Sequence, residues 1–221
     1  MNDLIPILYE DELTIVFDKP AGLLVVPTPK NEQKTLVNLV NKQYAEKALT
    51  GHLYPCHRLD RDTSGVIIFA KDKNSRDLIE DLFYKRRVKK WYVGFVQGRL
   101  KRPVGEWRAP VIDLDAKKFR KRSQPQEAIT RYRVIEQRKD FSVVEIQPIT
   151  GRTNQIRIHF AQMKHPLVGD RKYAFARDYQ VKFRRPALHA WRVEWINPGS
   201  SKKILVESQL AKDMEQFLKG G

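Results

Sequence analysis

The sequence predicts an α+β fold. Short runs rich in branched and aromatic residues recur along the whole chain, while apolar residues at helical spacing occupy only a few segments. Hydrophobic residues make up 41% of 221 residues and aromatics 10%, enough apolar material to offset chain entropy in one substantial core. Strand propensity alone supports no finer statement about how the sheet is wound.

The elements follow in order. ILYEDELTIVFDKPAG, from Ile7, reads as a hairpin: two β-rich runs flank an acidic turn, and Pro20 with Gly22 end the second. Thr35 is placed to cap a helix carrying Leu36, Leu39 and Val40 on one face. After an irregular stretch around Gly51 and Pro55, GVIIFAK from Gly65 is a buried strand, which puts HRLDRDTS on the loop before it. Ser75 is expected to cap a helix with Leu78, Ile79, Leu82 and Phe83 at helical spacing, ending in Lys85, Arg86 and Arg87, where the dipole favours cations. WYVGFVQG is a strand, and Leu100 to Gln126, basic with few periodic apolar positions, reads as a surface insertion. YRVIEQ and FSVVEIQPI are strands, followed by the loop TGRTN and a further strand, QIRIHF. A loop around HPLVGDRKYA, the strand ALHAWRVEWI and a hairpin leading to a helix capped near Ser208 complete the chain. No repeat, low-complexity tract or linker divides it, so residues 1–221 are expected to form a single domain.

Charge supplies the first functional clue. The 42 Lys and Arg against 26 Asp and Glu leave a formal +16, which calls for a polyanionic partner and salt-sensitive binding. An anionic membrane surface obeys the same physics, but no apolar run approaches the ~20 residues of a spanning helix. The N-terminus carries acids where a signal peptide needs bases, so a cytoplasmic location is expected. The single cysteine, Cys56, allows no internal disulfide, and His52, Cys56 and His57 lack a second ligand pair at finger-like spacing, so no metal is expected there.

Two constellations carry chemistry. In HRLDRDTSG, Asp60 lies between Arg58 and Arg61, and a carboxylate near guanidinium groups stays ionised and placed, as a nucleophile or base requires. On its own this pattern also fits a surface turn with one exposed ion pair. In TGRTNQIRIH, strand alternation would put Gln155, Arg157 and His159 on one face, with Ile156, Ile158 and Phe160 on the other. The preceding Gly151, Arg152, Thr153 and Asn154 form a loop able to offer donors to phosphate or a base. Tyr92, in a strand with Trp91, Val93 and Phe95, reads as packing from its neighbours alone.

Taken in order, HRLDRDTSGVIIFAK, KKWYVGFVQG, ITGRTNQIRIHFAQMKHPLVGDRKYA and RPALHAW resemble the motifs of the RluA-type pseudouridine synthases, and DKPAGLLVVP is similar to that family's first motif. The resemblance extends from about Ile7 to Pro198. It implies a pseudouridine synthase catalytic fold: a mixed, largely antiparallel twisted sheet with flanking helices and a central basic cleft. It implies that Asp60 is the catalytic carboxylate, Tyr92 the active-site tyrosine and Arg157 the arginine that pairs with that carboxylate. Arg58 matches a residue able to occupy the space left by a flipped nucleotide, and Leu188 an apolar position under the target base. Arg61, Arg152, Thr153, Asn154 and Gln155 complete the residues expected to meet RNA.

Two departures stand out. The family usually reads GRTHQIR, where this chain has Asn154 in place of the histidine, keeping hydrogen-bonding capacity but losing a titratable ring. The first motif also begins too early for the small RNA-binding module that many relatives carry, so target choice is expected to rest on the catalytic domain or a partner. The implied reaction isomerises uridine in ribosomal or transfer RNA to pseudouridine. It moves neither hydride nor phosphate, so no organic cofactor or metal is expected, and the chain has no glycine-rich nucleotide loop. Two other functions fit parts of the pattern: a nuclease holding Mg²⁺ on Asp60 and Asp62, and a non-catalytic RNA-binding protein explained by charge. The motif regions offer too few carboxylates for a two-metal nuclease site. Candidate phosphate-binding surfaces are the run Lys117–Arg122, KKWYVGFVQGRLKR and KFRR before Pro186.

Overall fold

A computed structural model describes residues 4–29, 32–46, 51–112, 124–175 and 181–220. The chain divides into two compact units, one of residues 1–90 with 189–221 and one of residues 91–188. The basic run Lys117–Arg122 lies outside the described residues.

The first unit opens with the expected hairpin, β1 (Ile7–Glu10) and β2 (Thr14–Lys19), paired antiparallel. Asp11 makes its turn: one carboxylate oxygen accepts from the Leu13 and Thr14 amides and the Thr14 hydroxyl, the other from Asn197 Nδ2 at 2.7 Å. α1 (Leu36–Glu46) starts at the residue after Thr35, as the capping signal predicts. A two-residue strand, β3 (Tyr54–Pro55), leads through the HRLD loop to β4 (Ser64–Ala70), every residue of which is buried. β4 lies between antiparallel β2 and parallel β9 (Leu188–Ile196), and β10 (Lys203–Glu207) borders β9. At Gly65 the backbone has φ 108°, and a Cβ would sit 2.0 Å from the Ala190 carbonyl oxygen, so β4 and β9 meet this closely only because that residue has no side chain.

α2 (Lys73–Tyr84) packs Ile79 and Leu82 into a core with Val16, Val66, Ile68 and Trp195. Its N-cap is Asp72 rather than Ser75: Asp72 accepts from the Ser75 amide at 2.8 Å and from its hydroxyl at 2.7 Å. A carboxylate at this position accepts from a free amide and also opposes the helix dipole, which a hydroxyl does less well. The helix stops in a Schellman motif, with Arg86 left-handed at φ 56° and the Arg87 amide bonded to Leu82 O at 2.8 Å. The last helix, α4 (Lys212–Gly220), begins four residues beyond the expected Ser208 cap.

The second unit is an antiparallel sheet in the order β5–β8–β7–β6, from β5 (Lys89–Gln97), β6 (Val104–Val111), β7 (Gln126–Gln137) and β8 (Phe141–Pro148). The stretch expected to be a surface insertion therefore contains a strand, β6. It sits at the edge of this sheet, where charged residues and Pro110 are tolerated because one side needs no ladder partner.

The segment expected to be the strand QIRIHF is a helix, α3 (Gln155–Gln162). Gln155 and His159, four apart, both turn inward: His159 is 0% exposed, with its ring nitrogens at Thr130 Oγ1 and Ala109 O. Arg157 projects elsewhere, so the three do not share a face. α3 ends in a second Schellman motif, with Lys164 at φ 62° and the His165 amide bonded to Phe160 O. Among the described residues no helix is long and apolar enough to cross a membrane.

His57 ties the start of the HRLD loop to β4. Its Nε2 accepts from the Ile68 amide at 3.1 Å, its ring lies 4.8 Å from that of Phe83, and burial with nearby Lys90 pushes its pKa from 6.5 down to about 3. The unfolded chain thus takes up a proton near pH 6.5 that the folded chain refuses until about pH 3, so this group lowers stability progressively as pH falls through that window. Thermal melts between pH 6.5 and 5 should show His57→Gln less acid-sensitive than the parent, since Gln can accept from Ile68 without binding a proton. Equal slopes for the two proteins would contradict this role.

Candidate active site

In the first unit Asp60 opens a tight turn: its carbonyl accepts from the Thr63 amide at 3.1 Å, and its side chain is half-buried. That turn is fastened to the DKPAG segment. The Arg61 carbonyl accepts from the Gly22 amide at 2.9 Å and from Lys19 Nζ at 2.9 Å, and Arg61 Nε donates back to Gly22 O at 3.1 Å. Lys19 is 0% exposed, its ammonium also donating to Pro20 O at 2.9 Å, so a buried cation anchors the loop that carries Asp60. The first motif thus has a physical function that residue types alone did not reveal: the lysine's partner is 42 positions away. Arg58 and Arg61 are exposed on the same loop, and Ser64 just past it bonds His189 Nδ1 at 3.0 Å.

In the second unit the TGRTN loop leads directly into α3. Asn154 precedes the helix in the left-handed region (φ 54°, ψ 17°), and its side chain makes no cap bond to the helix. Its Oδ1 instead accepts from Arg157 Nη1 at 3.0 Å. Arg157 also donates from Nε and Nη2 to the two oxygens of Asp170, at 2.7 and 2.9 Å. Arg152 and Thr153 are exposed. Gln155, expected to meet RNA, is 3% exposed: its Oε1 accepts from Thr150 Oγ1 and the Arg152 amide, and its Nε2 donates to Ile129 O and Thr130 Oγ1. It shapes the loop from inside, whereas Arg152 and Thr153 hold its outer surface.

Tyr92, on β5 opposite Ile146, is buried at 8%, and Leu188 at the start of β9 at 3%. In the KFRR run Lys182 and Arg184 are exposed, but Arg185 is buried and donates to Pro186 O and Leu188 O at 3.2 Å each, so it supports the backbone rather than presenting charge. Among the described residues no three His, Cys, Asp or Glu side chains gather as a metal site.

Residues 13–162 match the family model for RNA pseudouridylate synthase. The chain belongs to the RNA pseudouridylate synthase family. It is accordingly an isomerase acting on RNA. Among its relatives, the uncharacterized RNA pseudouridine synthase YhcT of Bacillus subtilis (strain 168) is 33% identical over 215 residues, covering 96% of this chain and 70% of that protein. Ribosomal large subunit pseudouridine synthase D of Xanthomonas campestris is 34% identical over 225 residues, with 96% and 68% covered. The fold is similar to human RNA Pseudouridylate Synthase Domain Containing 4, with a TM-score of 0.82 at 24% identity over 96% of this chain and 91% of that one.

The Asn154 departure from the usual pseudouridylate synthase pattern has a simple backbone reading. Asn and His are both enriched among non-glycine residues in the left-handed region, so either suits φ 54°. Asn154→His should retain turnover within about threefold, because the conformation is shared and a neutral ring nitrogen can still accept from Arg157. A steady-state assay finding activity at background would mean that the loop has taken on another role.

Proposed function

We propose that this synthase isomerises particular uridines in ribosomal or transfer RNA, with Asp60 as the catalytic carboxylate, and that residues 1–221 act as one catalytic domain in the cytoplasm. The observation that carries the Asp60 assignment is the fastening of its loop: a fully buried lysine and the DKPAG backbone hold the turn on which that carboxylate sits. Preorganisation of this kind suits a group that must meet a reacting atom in one geometry.

The reaction breaks the bond between ribose C1′ and uracil N1, turns the base and joins C1′ to C5. The C5 proton departs and N1 gains one, so composition is unchanged. Within a stack those atoms are out of reach, and flipping the nucleotide costs roughly a few kcal/mol. Arg58 would fill the vacated space and Leu188 would pack beneath the base, while Arg61, Arg152, Thr153 and Asn154 would hold the backbone. Tyr92 would lie against the reacting nucleotide. Arg157 would serve Asp60 as its cation; a guanidinium has five N–H donors, so its bonds to Asp170 are compatible with a second carboxylate. The large subunit substrate named for the Xanthomonas campestris relative favours ribosomal RNA as the first class to examine.

Pseudouridine mapping in total RNA from cells with and without the protein tests the target assignment. One or a few uridines in ribosomal or transfer RNA should lose their modification when the protein is absent. Identical maps in both RNA classes would overturn it.

A further inference from the structure

Asp170 plays no part in the reaction as set out above, yet it is the most completely engaged carboxylate near Arg157. It is 0% exposed. Its Oδ2 accepts from Arg157 Nε at 2.7 Å, and its Oδ1 from Arg157 Nη2 at 2.9 Å, the Lys172 amide at 3.0 Å and the Tyr173 amide at 3.2 Å. Two parallel bonds to one guanidinium edge fix the plane of that group as well as its position. The Tyr173 ring lies 5.0 Å from the Arg157 guanidinium carbon, and Asn154 Oδ1 holds Nη1 from another side.

The backbone beneath Asp170 is also held. Its amide bonds to Leu167 O at 3.1 Å, Val168 exchanges bonds with Phe95 O and the Ala187 amide, and at Gly169 (φ 80°) a Cβ would fall 2.1 Å from Arg185 O. A carboxylate mounted this way is a fixed post. A buried ion pair adds little net stability over an apolar pair of similar volume, so stability alone gives a weak reason for the arrangement. Orientation gives a better one, because arginine is rich in rotamers, and an unsupported side chain would lose that freedom at each turnover.

We propose that Asp170 is a positioning residue for the isomerisation, fixing the guanidinium of Arg157 with Tyr173 against its face, so that the cation is in place before RNA arrives. This rests on the reading that Arg157 serves Asp60.

The test compares Asp170→Asn, Tyr173→Leu and Arg157→Met, singly and with each of the first two combined with Arg157→Met, by kcat, KM and RNA affinity. Asp170→Asn keeps one acceptor but turns an NH₂ toward Arg157 Nε. Its kcat should fall about 10- to 100-fold, the scale of a misplaced reacting group, with KM within about threefold. Tyr173→Leu should lower kcat about two- to fivefold, as loss of a half-buried cation–π contact would. In the Arg157→Met background, followed over long incubations, neither change should lower kcat more than about twofold further, since residues acting as one unit are not additive.

Losses that multiply in the double variants, or an Asp170→Asn enzyme with wild-type kcat beside a crippled Arg157→Met, would overturn the positioning role while leaving Arg157 as proposed. Wild-type kcat in Arg157→Met would overturn the Arg157 reading itself and the positioning role with it. Should Asp170→Asn fail to fold, Tyr173→Leu in the two backgrounds decides by the same additivity criterion.

Discussion

Asp60→Asn is expected to abolish isomerisation while leaving RNA binding intact. The substitution removes one negative charge and keeps nearly the same shape, so the turn closed by the Thr63 amide, which uses the backbone of residue 60, should persist. The bonds from Lys19 and Gly22 to Arg61 O are likewise indifferent to the identity of side chain 60. Loss of a nucleophile or base typically costs a factor of ~10² to 10⁴. Turnover above about one per cent of the parent, measured under saturating RNA, therefore contradicts a catalytic carboxylate at this position.

Arg157→Met should act on both stability and rate. Met leaves Asp170 as a buried carboxylate without its cation, and breaking a buried pair this way costs about 3 kcal/mol, the lower end of the usual range because Arg157 keeps 13% exposure. Activity per folded molecule should fall as well, since the proposed cation of Asp60 is lost. Parental activity per folded molecule in Arg157→Met would count against the pairing of Arg157 with Asp60. Arg157→Lys separates charge from geometry: it restores the cation without the planar fork, and should lie between the two.

What the sequence shows plainly is what depends on near neighbours. The β1–β2 hairpin announces itself because two strand runs flank an acidic turn, and Asp11 uses that chemistry. α3 misled for an equally local reason. In Gln155–Phe160 polar and apolar residues alternate strictly over six positions, yet the same residues place Ile156 with Phe160, and Gln155 with His159, at helical spacing. Eight residues give too few turns for periodicity to choose between them. β6 was hidden by Gly105, Pro110 and its charges, which an edge strand accepts and a central one would not.

The candidate site divides along the same line. Asp60 stands out because arginines flank it, and Arg157 because it lies in a recognisable motif. Lys19 and Asp170 do not, since their importance lies in partners 42 and 13 residues distant and in complete burial, neither of which residue order displays. A charge in a sequence suggests solvent; only packing reveals that a particular lysine or aspartate is a fixed internal support.

The most direct test is to incubate the purified protein with unmodified RNA transcripts in the presence of a metal chelator, and to assay both pseudouridine and chain cleavage. Intact RNA containing pseudouridine at defined positions, formed by the parent and absent with Asp60→Asn, is the predicted result. Cut RNA, unchanged uridine, or equal pseudouridine from both proteins would contradict an isomerase that works through Asp60.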